Sequence, residues 1–187
     1  SKLRIAVVGD IIVDEYISCE PLGMSQEDSS IVVTPINSSK FLGGASIVAA
    51  HASGLGAHVK FFSVKGNDDT GNFCLKELNK SNVETLIIDD ESRPTTLKQR
   101  FRSNGNSIFR LSHLQQRGIS KEIEKKLLDM IQKNLSDIDL LIFSDFNYGV
   151  LTQELVEKVS NMAKEKNILI SADSQSSSQI GDISRFI

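Results

Sequence analysis

Residues 3–10 read Leu3-Arg4-Ile5-Ala6-Val7-Val8-Gly9-Asp10. A largely apolar run that stops at a Gly-Asp turn is how a strand buried on both faces of a parallel sheet reads; a strand with one wet face would alternate. His58–Val64, Thr85–Ile88, Asp139–Phe143 and Ile168–Ala172 are further β-prone runs, and segments of helical character lie between most of them. Gly43-Gly44 opens a small-residue helix from Ala45 to Leu55. Gly66-Asn67-Asp68-Asp69 supplies a turn and N-cap for a helix from about Thr70 to Ser81, with Phe73, Leu75 and Leu78 inward. Ser120 caps a helix whose Ile123, Leu127, Leu128 and Ile131 fall at helical spacing, with Glu122 and Lys126 as an exposed supporting pair. A last helix, Thr152–Lys166, turns Leu155, Val156, Val159 and Met162-Ala163 inward. Strand and helix in alternation predict an α/β fold: a mostly parallel sheet with helices on both faces.

Two stretches, near 16–40 and 95–111, break the alternation. Residues 18–30 are polar, contain Pro21 and Gly23, and predict a loop; Ile31–Thr34 is β-prone, with Pro35 marking an edge. Thr95–Arg102 and Asn106–Leu111 flank Ser103-Asn104-Gly105, a strong hairpin signal. These segments read as a small sheet outside the main one. Alternation puts Lys98, Arg100 and Arg102 on one face of the hairpin, with Arg110 nearby.

Composition bounds the rest. The chain has 187 residues, 40% hydrophobic and 24% charged, as ordinary globular chains do. A net charge of -3 argues against a nucleic-acid or anionic-membrane surface. No apolar run is long enough to span a bilayer. Cys19 and Cys74 are too few for a disulfide framework or zinc site, and the three histidines share no metal-ligand spacing. With no signal-peptide pattern, the expected compartment is the cytoplasm. The tail from Ser174 is polar and serine-rich at first.

Ligands of open α/β sheets sit outside the carboxyl ends of the strands. The polar residues expected there are Asp10 and Asp14, Gly43-Gly44, Lys65 and Asn67, Asp145 and Asp173. Each also reads as a turn or cap residue. Aspartates at a strand end suit a polyhydroxylated ligand, because a carboxylate accepts two hydroxyl hydrogens at once. The cluster Lys98, Arg100, Arg102 and Arg110 reads either as a grip on an anionic group or as charge that keeps a sheet edge soluble. Neither a Walker loop nor a G-x-G-x-x-G turn is present, and Ser144-Asp145 has no histidine at triad spacing, which excludes the nucleotide and hydrolase fingerprints.

Taken together, GDIIVDEY (9–16), LGGASIVAAHASGLGA (42–57), the Gly66–Gly71 turn, TTLKQRFRSNGNSIFRLSH (95–113) and FSDFNYGVL (143–151) resemble the ribokinase-like (PfkB-type) carbohydrate kinases. Within that family they are most similar to the heptose 7-phosphate kinase half of ADP-heptose synthases. The resemblance implies that residues 1–187 are the N-terminal part of one ribokinase-like domain, with segments near 16–40 and 95–111 forming a β-sheet lid that also mediates homodimerisation. It implies a sugar or sugar-phosphate substrate, with Asp10, Asp14, Gly43, Gly44, Lys98, Arg100, Arg110 and Asp145 on the sugar side and Asp173 towards the nucleotide. ATP and Mg²⁺ are implied for the complete enzyme. The family's catalytic base and anion hole lie downstream of the residues matched here, so the resemblance assigns no catalytic residue to this chain and implies that the chain turns nothing over alone. Ile47 stands where the family has Asn, Tyr148 where it has Lys, and Ser174-Gln175 follow Asp173 in place of Pro-Lys or Pro-Asn. Those departures motivate an alternative: a degenerate, non-catalytic module that binds sugar phosphate or a partner subunit.

Overall fold

The computed structural model describes residues 3–175 and Phe186. The rest of the serine-rich tail lies outside the described residues. β1 (Arg4–Gly9) pairs in parallel with β4 (His58–Lys65) on one side and β8 (Leu140–Asp145) on the other. β5 (Glu84–Asp89) and β9 (Leu169–Ser174) complete a five-stranded sheet in the order β5-β4-β1-β8-β9, parallel throughout.

The apolar run at the start of the chain divides by parity. Ala6 and Val8 join Phe62, Val64, Leu141 and Phe143 against α3 (Lys121–Asn134) and α4 (Gln153–Glu165). Ile5 and Val7 join Val59 and Phe61 against α1 (Gly44–Gly54) and α2 (Asp69–Lys80). Helices therefore cover both faces, which is why the strand could afford no polar alternation. Asp68, Ser120 and Thr152 cap their helices as the N-cap rule expects, accepting from the backbone N–H of Gly71, Ile123 and Leu155. In α2 the inward residues are Cys74 and Leu78, with Phe73 partly buried against the same core. Leu75 is only half-buried, one residue out of the helical phase that Cys74 and Leu78 share.

The second sheet has four strands in the order β3-β2-β6-β7: β2 (Ile11–Met24), β3 (Ile31–Gly43), β6 (Thr96–Ser103) and β7 (Asn106–His113). The loop expected over residues 18–30 is mostly strand. β2 runs on to Met24, paired with β3, and absorbs Pro21 and Gly23 through register shifts at Ser18/Cys19 and Pro21/Gly23. Only residues 25–30 remain as a loop, closed by Ser25 N–H donating to the Ser30 carbonyl at 2.8 Å. Pro35 lies on β3, an edge strand, where its missing donor costs no ladder bond. Asn104 (φ 49°) and Gly105 (φ 81°) turn the β6–β7 hairpin with two left-handed residues, as its Asn-Gly signal requires.

The chain enters the second sheet directly after β1, at Asp10, and again after β5. It returns each time to the N-terminus of a helix, at Gly44 and near Ser120. All four crossings thus lie at the carboxyl ends of the parallel strands, and the second sheet is held over that end.

Candidate functional site

The β2–β6 register sets Asp14 opposite Lys98, Tyr16 opposite Arg100 and Ser18 opposite Arg102, so these side chains share one face. Across the hairpin Arg100 stands opposite Arg110, which joins that face and is exposed. Asp14 and the Arg100 guanidinium form an ion pair, each side chain about a quarter exposed. The Lys98 Nζ lies 4.9 Å from the centre of the Tyr148 ring and 5.9 Å from that of Phe146. That contact closes the face against the loop that follows β8.

Glycine is needed where β3 hands over to α1. Gly44 has φ +54°, and a Cβ there would sit 2.6 Å from the Asp10 carbonyl oxygen. At Gly43 a Cβ would run into the Asp14 carboxylate. The Gly-Gly pair therefore lets the helix N-terminus lie directly against both aspartates.

Asp10 and Asp145 are both buried at the carboxyl ends of their strands. Asp10 is 1% exposed. Its Oδ2 accepts from the backbone N–H of Phe146 at 3.0 Å and Tyr148 at 3.3 Å, and its Oδ1 from Val150 at 3.1 Å. Burial pushes its carboxyl above the usual carboxylate range, the three N–H groups pull it back, and the nearby Asp145 charge adds to the rise. Asp145, also 1% exposed, accepts from Asn147 N–H at 3.0 Å and from the Ser174 hydroxyl at 2.8 Å. Both carboxylates hold the β8–α4 loop from beneath through these bonds. The loop takes the form they dictate, with Asn147 (φ 62°) and Gly149 (φ 92°) left-handed.

Asp173 is exposed on the edge strand β9. Lys65 is 5% exposed, with its Nζ 2.6 Å from Asp89 and 3.1 Å from the Gly66 carbonyl, so it fastens the end of β4 rather than facing a ligand. The Gly66–Gly71 turn is a joint: Asp68 accepts from Gly71 N–H and Thr95 N–H, and Gly66 N–H donates to the Thr95 hydroxyl at 3.0 Å. It pins the root of β6 to α2.

Arg93 was not among the residues singled out from sequence. It is 9% exposed and donates to the carbonyls of Tyr148 at 3.1 Å and Arg117 at 2.6 Å, while its Nε lies 3.3 Å from Asp90 Oδ2. One guanidinium therefore ties together the β5–β6, β7–α3 and β8–α4 connections. No sequence pattern marks it, because its partners are 24 and 55 residues away. Tyr148 and Phe146 were likewise unassigned, although Tyr148 had stood out as an aromatic at a lysine position.

Among the described residues no group of three or more His, Cys, Asp or Glu side chains is placed to hold a metal ion. No helix there is long and apolar enough to cross a membrane.

Comparison with known proteins returns one consistent picture. A family model described as "pfkB family carbohydrate kinase" matches residues 2–187. The Bifunctional protein HldE of Helicobacter pylori (strain Shi470) is 35% identical over 171 residues, covering 91% of this chain and 37% of that protein. HldE of Rhodopseudomonas palustris (strain TIE-1) is 32% identical over 179 residues, covering 94% and 36%. The chain thus spans a little over a third of the length of these curated relatives. Among solved structures, phosphofructokinase-2 from Escherichia coli in complex with fructose-6-phosphate superposes with a TM-score of 0.70 at 14% identity, over 94% of this chain and 56% of that one. Arabidopsis thaliana ribokinase complexed with ribose and ATP gives 0.63 at 14% identity, over 92% and 54%. The ribokinase-like fold expected from the motifs is the fold observed.

Proposed function

Since this chain belongs to the pfkB family of carbohydrate kinases, we propose that it is the sugar-binding portion of a cytoplasmic, ATP-dependent kinase that transfers a phosphoryl group to a hydroxyl of a sugar phosphate of the heptose-phosphate kind. One observation carries the choice of a phosphorylated sugar. Arg100 and Arg110 stand directly opposite each other on the face that also holds Lys98 and Arg102. Among the contacts of the described residues one of these four cations, Arg100, has a carboxylate partner, Asp14, and a bound dianion would balance the excess positive charge. Asp14 is the residue for the sugar hydroxyls. It lies on the same face, is partly open, and has its guanidinium partner to fix its orientation.

In this reading ATP and Mg²⁺ belong to the complete enzyme, and among the described residues no group of three or more His, Cys, Asp or Glu side chains is placed to hold a metal ion. The chemistry supplied here is recognition and orientation of the acceptor sugar.

The outer face of the four-stranded sheet supports a homodimer through this lid. Phe101 and Phe109 stack there with ring centres 4.2 Å apart, and Phe109 and Leu111 are each 44% exposed. The alternative of a non-catalytic binding module draws on Ile47, which cannot hydrogen-bond a sugar. Phosphoryl transfer decides between them. The full-length protein is expected to convert ATP and a heptose 7-phosphate to ADP and a bisphosphate, and an inert protein that still binds the sugar phosphate would favour the non-catalytic reading. Asp14→Ala is expected to weaken sugar binding by about 1.5–3 kcal/mol, the worth of a hydrogen bond to a charged group. Unchanged affinity in calorimetry would remove Asp14 from the site.

A further inference from the structure

Two cations on the lid's inner face, Arg100 and Lys98, are held differently. Arg100 is paired with a carboxylate, Asp14. Lys98 has no carboxylate among the contacts the structure gives it, and its ammonium rests on the rings of Tyr148 and Phe146 at 4.9 and 5.9 Å. The difference matters chemically. A carboxylate neutralises its partner, whereas a ring attracts a cation through its quadrupole and leaves the full charge to be used.

The ring itself is fixed from the body of the molecule. The Tyr148 N–H donates to Asp10 and the Tyr148 carbonyl accepts from Arg93, so both ends of this residue's backbone are tied to buried groups. Lys98 belongs to β6 of the second sheet, and Tyr148 to the loop after β8 of the main sheet. Their contact therefore bridges the second sheet and the loop after β8.

We propose that Tyr148 is a positioning residue for substrate charge: it seats the Lys98 ammonium, un-neutralised, where the inner face of the second sheet meets the β8–α4 loop, and there the ammonium receives the phosphate of the sugar phosphate. The inference rests on the sugar-phosphate reading above and adds a specificity device to it. Because the cation arrives with the second sheet, recognition of the phosphate is tied to that sheet's position over the site.

The test is a set of calorimetric titrations on the full-length protein, with heptose 7-phosphate and the unphosphorylated heptose as probes. Tyr148→Leu is expected to bind the phosphorylated sugar about 3- to 10-fold more weakly, the range of a partly desolvated cation–π contact. Its affinity for the neutral sugar should hold. Tyr148→Phe keeps the ring and should behave as wild type. Lys98→Met should show the same selective loss, and the double variant no further loss, because the two act as one unit. In turnover the loss should fall on KM with kcat unchanged. The proposal is overturned if Tyr148→Leu weakens both sugars alike, if Tyr148→Phe loses as much as Tyr148→Leu, or if neither variant changes affinity. Should wild type bind neither probe, or bind only the neutral sugar, the sugar-phosphate reading itself falls.

Discussion

In the five-stranded sheet, Val7, Val8, Phe61, Phe62, Leu141 and Phe143 are fully buried between two helical layers. In the four-stranded sheet, Phe41 is 54% exposed, Phe109 44% and Leu111 44%, and the inner face carries Asp14, Lys98, Arg100, Arg102 and Arg110. The first sheet is held by apolar burial on both sides. The second is rooted in that core through Ile11 and Val13 of β2, and beyond them it is held by its ladders and by contacts such as those of Arg93 and Lys98 that reach across. A body whose core sets its shape, carrying a sheet whose inner face is left for charge, is a division suited to closing over a polar ligand.

The sharpest way to break this comparison is to remove one phenylalanine from each sheet. Phe61→Ala is expected to cost about 3–5 kcal/mol in urea unfolding, the loss for a fully buried aromatic that leaves a cavity. Phe109→Ala should cost about 1 kcal/mol or less, since much of that ring is already in water. Similar costs would erase the distinction between the sheets. A large cost for Phe109→Ala that depends on protein concentration would instead mean that the outer face is covered by a second copy.

The same difference explains what could be read in the sequence. Runs such as Ile5–Val8 announce a doubly covered strand, and the helix caps at Asp68 and Ser120 follow from residue type and spacing alone, whereas Thr152, read as the first residue of its helix, is its cap. Residues 18–24 concealed a strand, because a partly wet strand with Pro21 and Gly23 carries no apolar run and its pairing partner lies beyond a loop. In the site, alternation correctly grouped Lys98, Arg100 and Arg102, and the motif placed Asp14 beside Gly43. Asp10 and Asp145 were legible as carboxylates at strand ends, but what they bind was not. Three backbone N–H groups some 140 residues away leave no mark on the sequence around Asp10.

Asp10 marks the junction of the two sheets, and its variant sharpens the contrast between burial and charge. Asp10→Asn keeps the shape but replaces one acceptor oxygen with a donor, so at least one buried N–H loses its partner, at about 1–3 kcal/mol. The pH dependence has a definite sign. Burial raises this carboxyl in the fold, so folding takes up a proton between the ordinary carboxylate value and the raised one. Wild-type stability from this group is therefore greatest at low pH and declines as pH climbs through that window. The advantage of wild type over Asp10→Asn should shrink over the same interval in unfolding curves and be level above it. An advantage that grows with pH would mean that the three N–H groups outweigh burial.

The opposite end of β1 should give the opposite slope, with the smallest effect. Arg4 donates from its backbone N–H and its Nε to Asp139 Oδ2 at 2.9 and 3.1 Å, and from Nη2 to Oδ1 at 2.7 Å. These bonds, led by the Arg4 side chain, hold the Asp139 carboxyl down at about 2. A depressed carboxyl adds stability above its ordinary value and loses it as pH falls towards the depressed one. Arg4→Met should therefore unfold more easily than wild type near neutral pH, and the difference should fade in acid and with added salt, because both groups are at the surface. The backbone N–H bond to Asp139 survives the substitution, so part of the depression should remain in the variant. The two ends of β1 thus meet carboxylates displaced in opposite directions: at its exposed start Arg4 holds Asp139, which precedes β8, and at its buried end stands Asp10, held by backbone N–H groups. If both variants gave pH slopes of one sign, the difference in environment between the two ends of this strand would not be what sets their charge.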